Sequence, residues 1–257
     1  MAAGSDSSGV VRESAVEALV SCGSPNVLDA LSQLASSAFS IPVRLGAIRG
    51  LGNIYSAAAT QVLSGLLTDD AGQLKAEAVE ALARQGSTKQ PDVFVVMLRD
   101  SDPVVIAAAA KAIGEFRLPS GGPLLVDLLR GSPNGQVRRE SAAALGKLGD
   151  RRFTASLATV ARSRSEQISV RLAAIRSLGL IGDLQAAESL IALLKDPEAI
   201  IRVAAARSCT ELRSYDASPI IRELLRNETR EARSELIQIS GLWPEEFKAS
   251  LQQIVLA

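Results

Sequence analysis

The chain has 257 residues, 28 Lys+Arg against 28 Asp+Glu, and no histidine. Net neutrality disfavours a non-specific nucleic-acid binder, which is normally basic. The missing histidine removes His-dependent nucleophilic triads and His-ligated metal sites. No P-loop or dinucleotide glycine pattern is present, and Gly121-Gly122 followed by Pro123 reads as a lead-in to a helix, not a phosphate cradle.

In chain order, residues 1–9, "MAAGSDSSG", read as a short disordered tail without the apolar core of a signal peptide. No apolar run reaches ~20 residues, so no membrane span is expected and the cytoplasm is the default compartment. A repeating string then begins with "VVRESAVEALVSCG" at Val10 and returns as "IPVRLGAIRGLGNI" at Ile41, "GQVRRESAAALGKLGD" at Gly135, "ISVRLAAIRSLGLIGD" at Ile168 and "AIIRVAAARSCTEL" at Ala199. The apolar residue before the Arg serves as an anchor. Anchors fall at Val11, Val43, Leu74, Val105, Val137, Val170, Ile201 and Ala232, in steps of 31 to 33 residues. Apolar pairs from Leu66-Leu67 to Ile254-Val255 keep the same rhythm, and such a period marks stacked repeats.

Counting the anchor as position 1, apolar or small residues fall at positions 1, 5, 6, 8, 9 and 12, a helical stripe. The remainder of each unit, such as "LQAAESLIALLKD", has helical spacing too. Breakers separate the helices: Gly86-Ser87, Gly149-Asp150 and Gly182-Asp183 on one side, "DDAG", "DSDP", "GSPNG" and "KDPE" on the other. Each unit is predicted to be two antiparallel helices. Glycine recurs at position 10 (Gly52, Gly114, Gly146, Gly179, Gly241), where it costs a helix about 1 kcal/mol relative to Ala. Its recurrence points to a close contact or a shared helix end. One pair cannot bury its apolar face alone, whereas a stack can.

Asp196-Pro197, Arg202, Ala205 and Ala206, with Arg171, Ala173, Ala174, Leu178, Gly179, Ile181, Gly182 and Asp183, resemble the short HEAT-like repeat named after phycobilisome lyases. The resemblance implies an all-α fold, a right-handed α-solenoid (HEAT-like, armadillo-type superhelix) of about seven to eight two-helix repeats over residues 10–257. It leaves open whether the chain belongs to a longer array. It also implies that the position-2 cation (Arg12, Arg44, Lys75, Arg138, Arg171, Arg202, Arg233; Ile106 is the exception) meets an Asp of the neighbouring turn, with Asp70, Asp102 and Asp196 as candidates. Cys22 and Cys209 lie six repeats apart, roughly 50–60 Å at about 8–10 Å per helix layer, so a disulfide is excluded and both read as buried thiols.

In HEAT-like stacks the anchor-type helix lines the concave face, with positions 3 or 4, 7 and 11 pointing outward. The expected partner-binding groove therefore holds Arg49, Lys111, Lys147, Arg176 and Arg207, with apolar Leu172, Leu180 and Val203. Glu223 and Glu228 fall in the other helix layer or its loop. Trp243 and Phe247 form a possible end interface. The resulting expectation is a non-enzymatic scaffold or adaptor, without cofactor, nucleic acid or membrane span, that binds another protein through an acidic and partly apolar segment. The alternative implied by the resemblance is a bilin lyase subunit or phycobiliprotein chaperone. A HEAT-like DNA glycosylase needs aromatics in a basic groove, and none sits at positions 7 or 11. The iron-dependent HEAT hydroxylases need His-Glu pairs, which a chain without histidine lacks. Elemental analysis of the purified protein is expected to find no stoichiometric zinc or iron; one equivalent of either would contradict this reading.

Overall fold

In the computed structural model, the residues described are 26–36, 38–86 and 92–242, with Ala18. All regular structure among them is helical. The expected terminal helices, the 1–9 tail, Cys22, Trp243 and Phe247 lie outside these residues. Backbone contacts divide the chain into two compact units, Met1–Phe116 and Arg117–Ala257.

The first unit contains α1 (Val27–Leu34), α2 (Ile41–Gly52), α3 (Ala57–Gly65), α4 (Gly72–Arg84), α5 (Asp92–Met97) and α6 (Pro103–Phe116). The second contains α7 (Gly122–Gly131), α8 (Gly135–Leu148), α9 (Thr154–Arg162), α10 (Ile168–Ile181), α11 (Ala187–Leu193), α12 (Ala199–Glu211), α13 (Ser218–Asn227) and α14 (Arg230–Ser240). The even-numbered helices carry the anchors. In each unit they pack side by side in succession, and each also packs on the odd-numbered helix before it. The described helices thus make seven pairs, the solenoid architecture expected of this repeat.

Local chemistry sets the helix ends. Asn134 accepts hydrogen bonds from the Gln136 and Val137 amides, and Ser56 and Thr229 cap α3 and α14 in the same way. Pro42, Pro103, Pro123 and Pro219 stand in first turns, where a missing N–H costs nothing. Gly149 and Gly182 end α8 and α10 with φ of +69°, a conformation that favours glycine. The next residues, Asp150 and Asp183, accept the Arg152 and Gln185 amides and start the short 3₁₀ turns Arg151–Phe153 and Leu184–Ala186. The α10 positions 5, 6, 8, 9 and 12 (Ala174, Ile175, Ser177, Leu178, Ile181) are all buried, as the apolar period requires.

Adjacent anchor helices touch along a seam of small residues. A Cβ on Gly52 would come within 2.9 Å of the Ala81 Cβ, and one on Gly146 within 2.7 Å of the Ser177 Cα. Position 10 of one helix therefore faces position 8 of the next. Ser177 and Ser208, both at position 8, donate to the carbonyls of Ala142 and Ile175 at 2.8 and 3.0 Å, so each hydroxyl is satisfied inside the seam. Gly241, by contrast, stands just past the end of α14.

The position-2 cations form a ladder to the acid of the following turn. Arg44 pairs with Asp69, Lys75 with Asp100, Arg138 with Glu166, Arg171 with Asp196 and Arg202 with Glu228. Only Asp196 matches its expected partner. Asp69 and Asp100 take the places expected for Asp70 and Asp102, and each also accepts the amide two residues on. Arg44 and Arg171 also donate through Nε to the Ala35 and Ala161 carbonyls at the end of the preceding helix, at 3.0 and 2.9 Å.

Burial by itself would push the Asp196 carboxyl up. Hydrogen bonds from Arg171 and the Glu198 amide, with the charges of Arg171 and Arg164, outweigh it and hold the group below the ordinary carboxylate range. Asp69, Asp100 and Glu166 are lowered by the same balance of burial against their partners. A carboxyl depressed in the folded state stabilises above its unfolded pKa and loses that contribution as pH falls through the folded one. With no histidine to titrate, the thermal midpoint is expected to stay flat from about pH 6 to 8 and to fall steeply below about pH 4. The Arg171 and Asp196 side chains are 3% and 4% exposed. Asp196→Ala is expected to cost about 3–5 kcal/mol in denaturant unfolding, and Arg171→Met combined with Asp196→Leu less than either single change.

Candidate functional site

Once ladder and seam are buried, the anchor helices have one face left. Its positions 7 and 11 point outward as the period predicts: Arg49, Lys111, Arg176 and Arg207 at position 7, and Lys147 and Leu180 at position 11, are all exposed. Leu180 is 64% exposed. Position 3 behaves differently. Leu172 is half-buried and Val203 is 6% exposed, so Val203 belongs to packing and not to an open surface patch. Val203 lies between α12 and α14, which pack on one another.

The cations divide by electrostatics. In the first unit Arg49 donates to Glu77 at 3.1 Å, and Glu77 also accepts from Arg84. Lys111 lies 3.7 Å from Glu80. These outward charges are largely self-compensated, in a small hollow lined by Glu80, Arg84, Lys111 and Glu115. In the second unit Lys147, Arg176 and Arg207 have no carboxylate within 4.0 Å among the described residues. Arg207 still acts at a distance on Glu211. Burial raises that carboxyl, and the Arg207 charge opposes the rise. Glu211 reaches over Gly179, where a side chain would collide with it.

The structure gathers Leu172, Arg176, Val203 and Arg207 around one hollow of about 610 Å³ between α10, α12 and α14. Glu231 and Glu235 line its α14 side. The sequence reading missed both. Glu235 stands at position 4, one of the outward positions, and the following Leu236 is buried in register with the earlier repeats. Lys147 and Leu180 lie outside the hollow's lining. Glu228, expected in the other layer or its loop, is the 6%-exposed ladder partner of Arg202.

Among the described residues no three His, Cys, Asp or Glu side chains are grouped to hold a metal, and no helix is long and apolar enough to cross a membrane. Cys209 is fully buried, and burial pushes its thiol up to about 12. Such a thiol is no nucleophile at neutral pH.

Similar architectures are known. The Escherichia coli protein YibA is 21% identical, with a TM-score of 0.70 over 91% of this chain and 88% of that one. Kap121p bound to Pho4p is 13% identical at a TM-score of 0.70; 96% of this chain is covered but only 34% of Kap121p. An engineered protein is 20% identical at a TM-score of 0.56, covering 97% of this chain and 79% of the other. At these identities the likeness is one of fold. Comparison with curated protein sequences gives no match. The profile of HEAT repeats matches residues 2–83, 91–168 and 154–239. With that match over the seven helix pairs, the chain belongs to the HEAT-repeat family.

Proposed function

We propose that this protein is a non-enzymatic scaffold or adaptor that holds a partner protein on the outward face of its anchor helices, through a partner segment that is acidic and partly apolar. The observation that carries this is the pair Arg176 and Arg207. They occupy equivalent positions on adjacent helices, are exposed, and form no ion pair among the described residues, beside half-buried Leu172. Their counterparts Arg49 and Lys111 are held by Glu77 and Glu80. Two like charges about 10 Å apart, neither in an ion pair among the described residues, attract an anionic segment and speed its encounter. Lys147 and Leu180 extend the same face, and Val203 serves as floor. The known form of Kap121p with Pho4p, and others with Nup53p and Ste12p, give examples of this fold accommodating protein partners. A fold hosts function only through its sites, so the proposal rests on these side chains.

Arg176→Glu with Arg207→Glu is expected to remove the partners captured from the native source and to leave stability within about 0.5 kcal/mol, because both side chains are exposed. Glu188→Lys with Glu223→Lys, on the odd-numbered helices, is the matched control; Glu228 is unsuitable because the ladder uses it. Partners captured equally by both variants would remove this face from the proposal. Adding bilin separates the lyase alternative, with an unchanged visible spectrum expected.

A further inference from the structure

The hollow between α10, α12 and α14 has a polarity that a simple basic groove would not have. Arg176 and Arg207 line it from α10 and α12, while Glu231 and Glu235 line it from α14. Among the described residues none of these four forms an ion pair within 4.0 Å. The two signs are therefore held apart across an apolar floor that includes Leu172 and Val203. Its volume is about 610 Å³.

From this arrangement we infer that the site takes a protein segment carrying both signs. A carboxylate lies against Arg176 and Arg207, an apolar side chain sits over Leu172 and Val203, and a Lys or Arg lies against Glu231 and Glu235. The inference rests on the protein-binding reading and makes it specific. Each wall is a like-charge pair. Glu231 and Glu235 are four residues apart on one helix, a spacing at which like charges repel. Glu231 lies in the first turn of α14, where the helix dipole favours an acid. Glu235 is a turn further on and has no such local reason. A segment of one sign would satisfy one wall and be repelled by the other, whereas a segment of both signs relieves both. Adjacent helices stand about 10 Å apart, so the partner's charges are separated by about two helical turns or three extended residues.

The test uses a displayed library of random dodecapeptides, selected against the full chain. Recovered peptides are then measured against three variants: Arg176→Glu/Arg207→Glu, Glu231→Lys/Glu235→Lys, and all four changes together. Circular dichroism and thermal melting confirm that each variant stays folded. The expected outcome is a recovered pattern of acid, apolar residue and base. Reversal of either wall should weaken binding about tenfold or more. The fourfold variant should prefer peptides of opposite order. Recovered peptides that are acidic only, or that ignore the α14 changes, overturn the inference and leave the protein-binding reading in place. Peptides that depend on neither wall remove both.

Discussion

In five of the described repeats the position-2 cation reaches the acid of a following turn, and at its fullest one such side chain ties three segments together. The position-2 cation donates to the last carbonyls of the helix before it, as Arg171 does to Ala161, and to the acid of the following turn, as Arg171 does to Asp196. That acid uses its other oxygen to accept an amide two residues on, and so sets where the next anchor helix starts. Buried ion pairs add little net stability, because desolvation offsets their attraction, but breaking one leaves a charge without water or partner. The ladder's effect is on register. It also explains why the acid changes identity. Asp serves in the short turns at Asp69, Asp100 and Asp196, 25 residues after the cation; Glu166 and Glu228, with a longer side chain, serve where the separation is 28 and 26 residues.

The seam complements the ladder. Gly52 against Ala81, and Gly146 against Ser177, leave no room for a Cβ at position 10. The close approach makes the hydroxyls of Ser177 and Ser208 part of the packing, each bonded to the neighbouring helix's carbonyl. Between them, ladder and seam use positions 2, 8 and 10 together with the apolar positions. Stacking in a repeat fold is a sum of such neighbour contacts, so positions 4, 7 and 11 are free to differ from one repeat to the next.

The two units use that freedom differently. In the first, Arg49, Glu77 and Arg84 form a surface cluster and Lys111 faces Glu80. Exposed pairs of this kind contribute little to stability and mainly quench the local potential. In the second, Arg176 and Arg207 stay outside any ion pair among the described residues, with Glu231 and Glu235 across the hollow. Electrostatic complementarity of this sort governs which partner binds and how fast it arrives, more than how tightly it is held.

The sequence by itself determined the repeat, its two-helix content and the outward positions, because a period of 31 to 33 residues with helical spacing leaves few ways to bury the apolar face. It also named Arg176, Arg207 and Leu172 at outward positions of two successive anchor helices, and Asp196 as a ladder acid. Tertiary structure alone decided the rest. Asp69, not its neighbour Asp70, meets Arg44 and accepts the Ala71 amide, a difference of a single residue. Val203 proved buried between helices where its outward position predicted exposure. Glu231 and Glu235 became part of the site only when a third helix brought them across from the arginines. A periodic sequence states which way a side chain points from its own helix; which charges come to face one another across a hollow is set by how neighbouring helices stack.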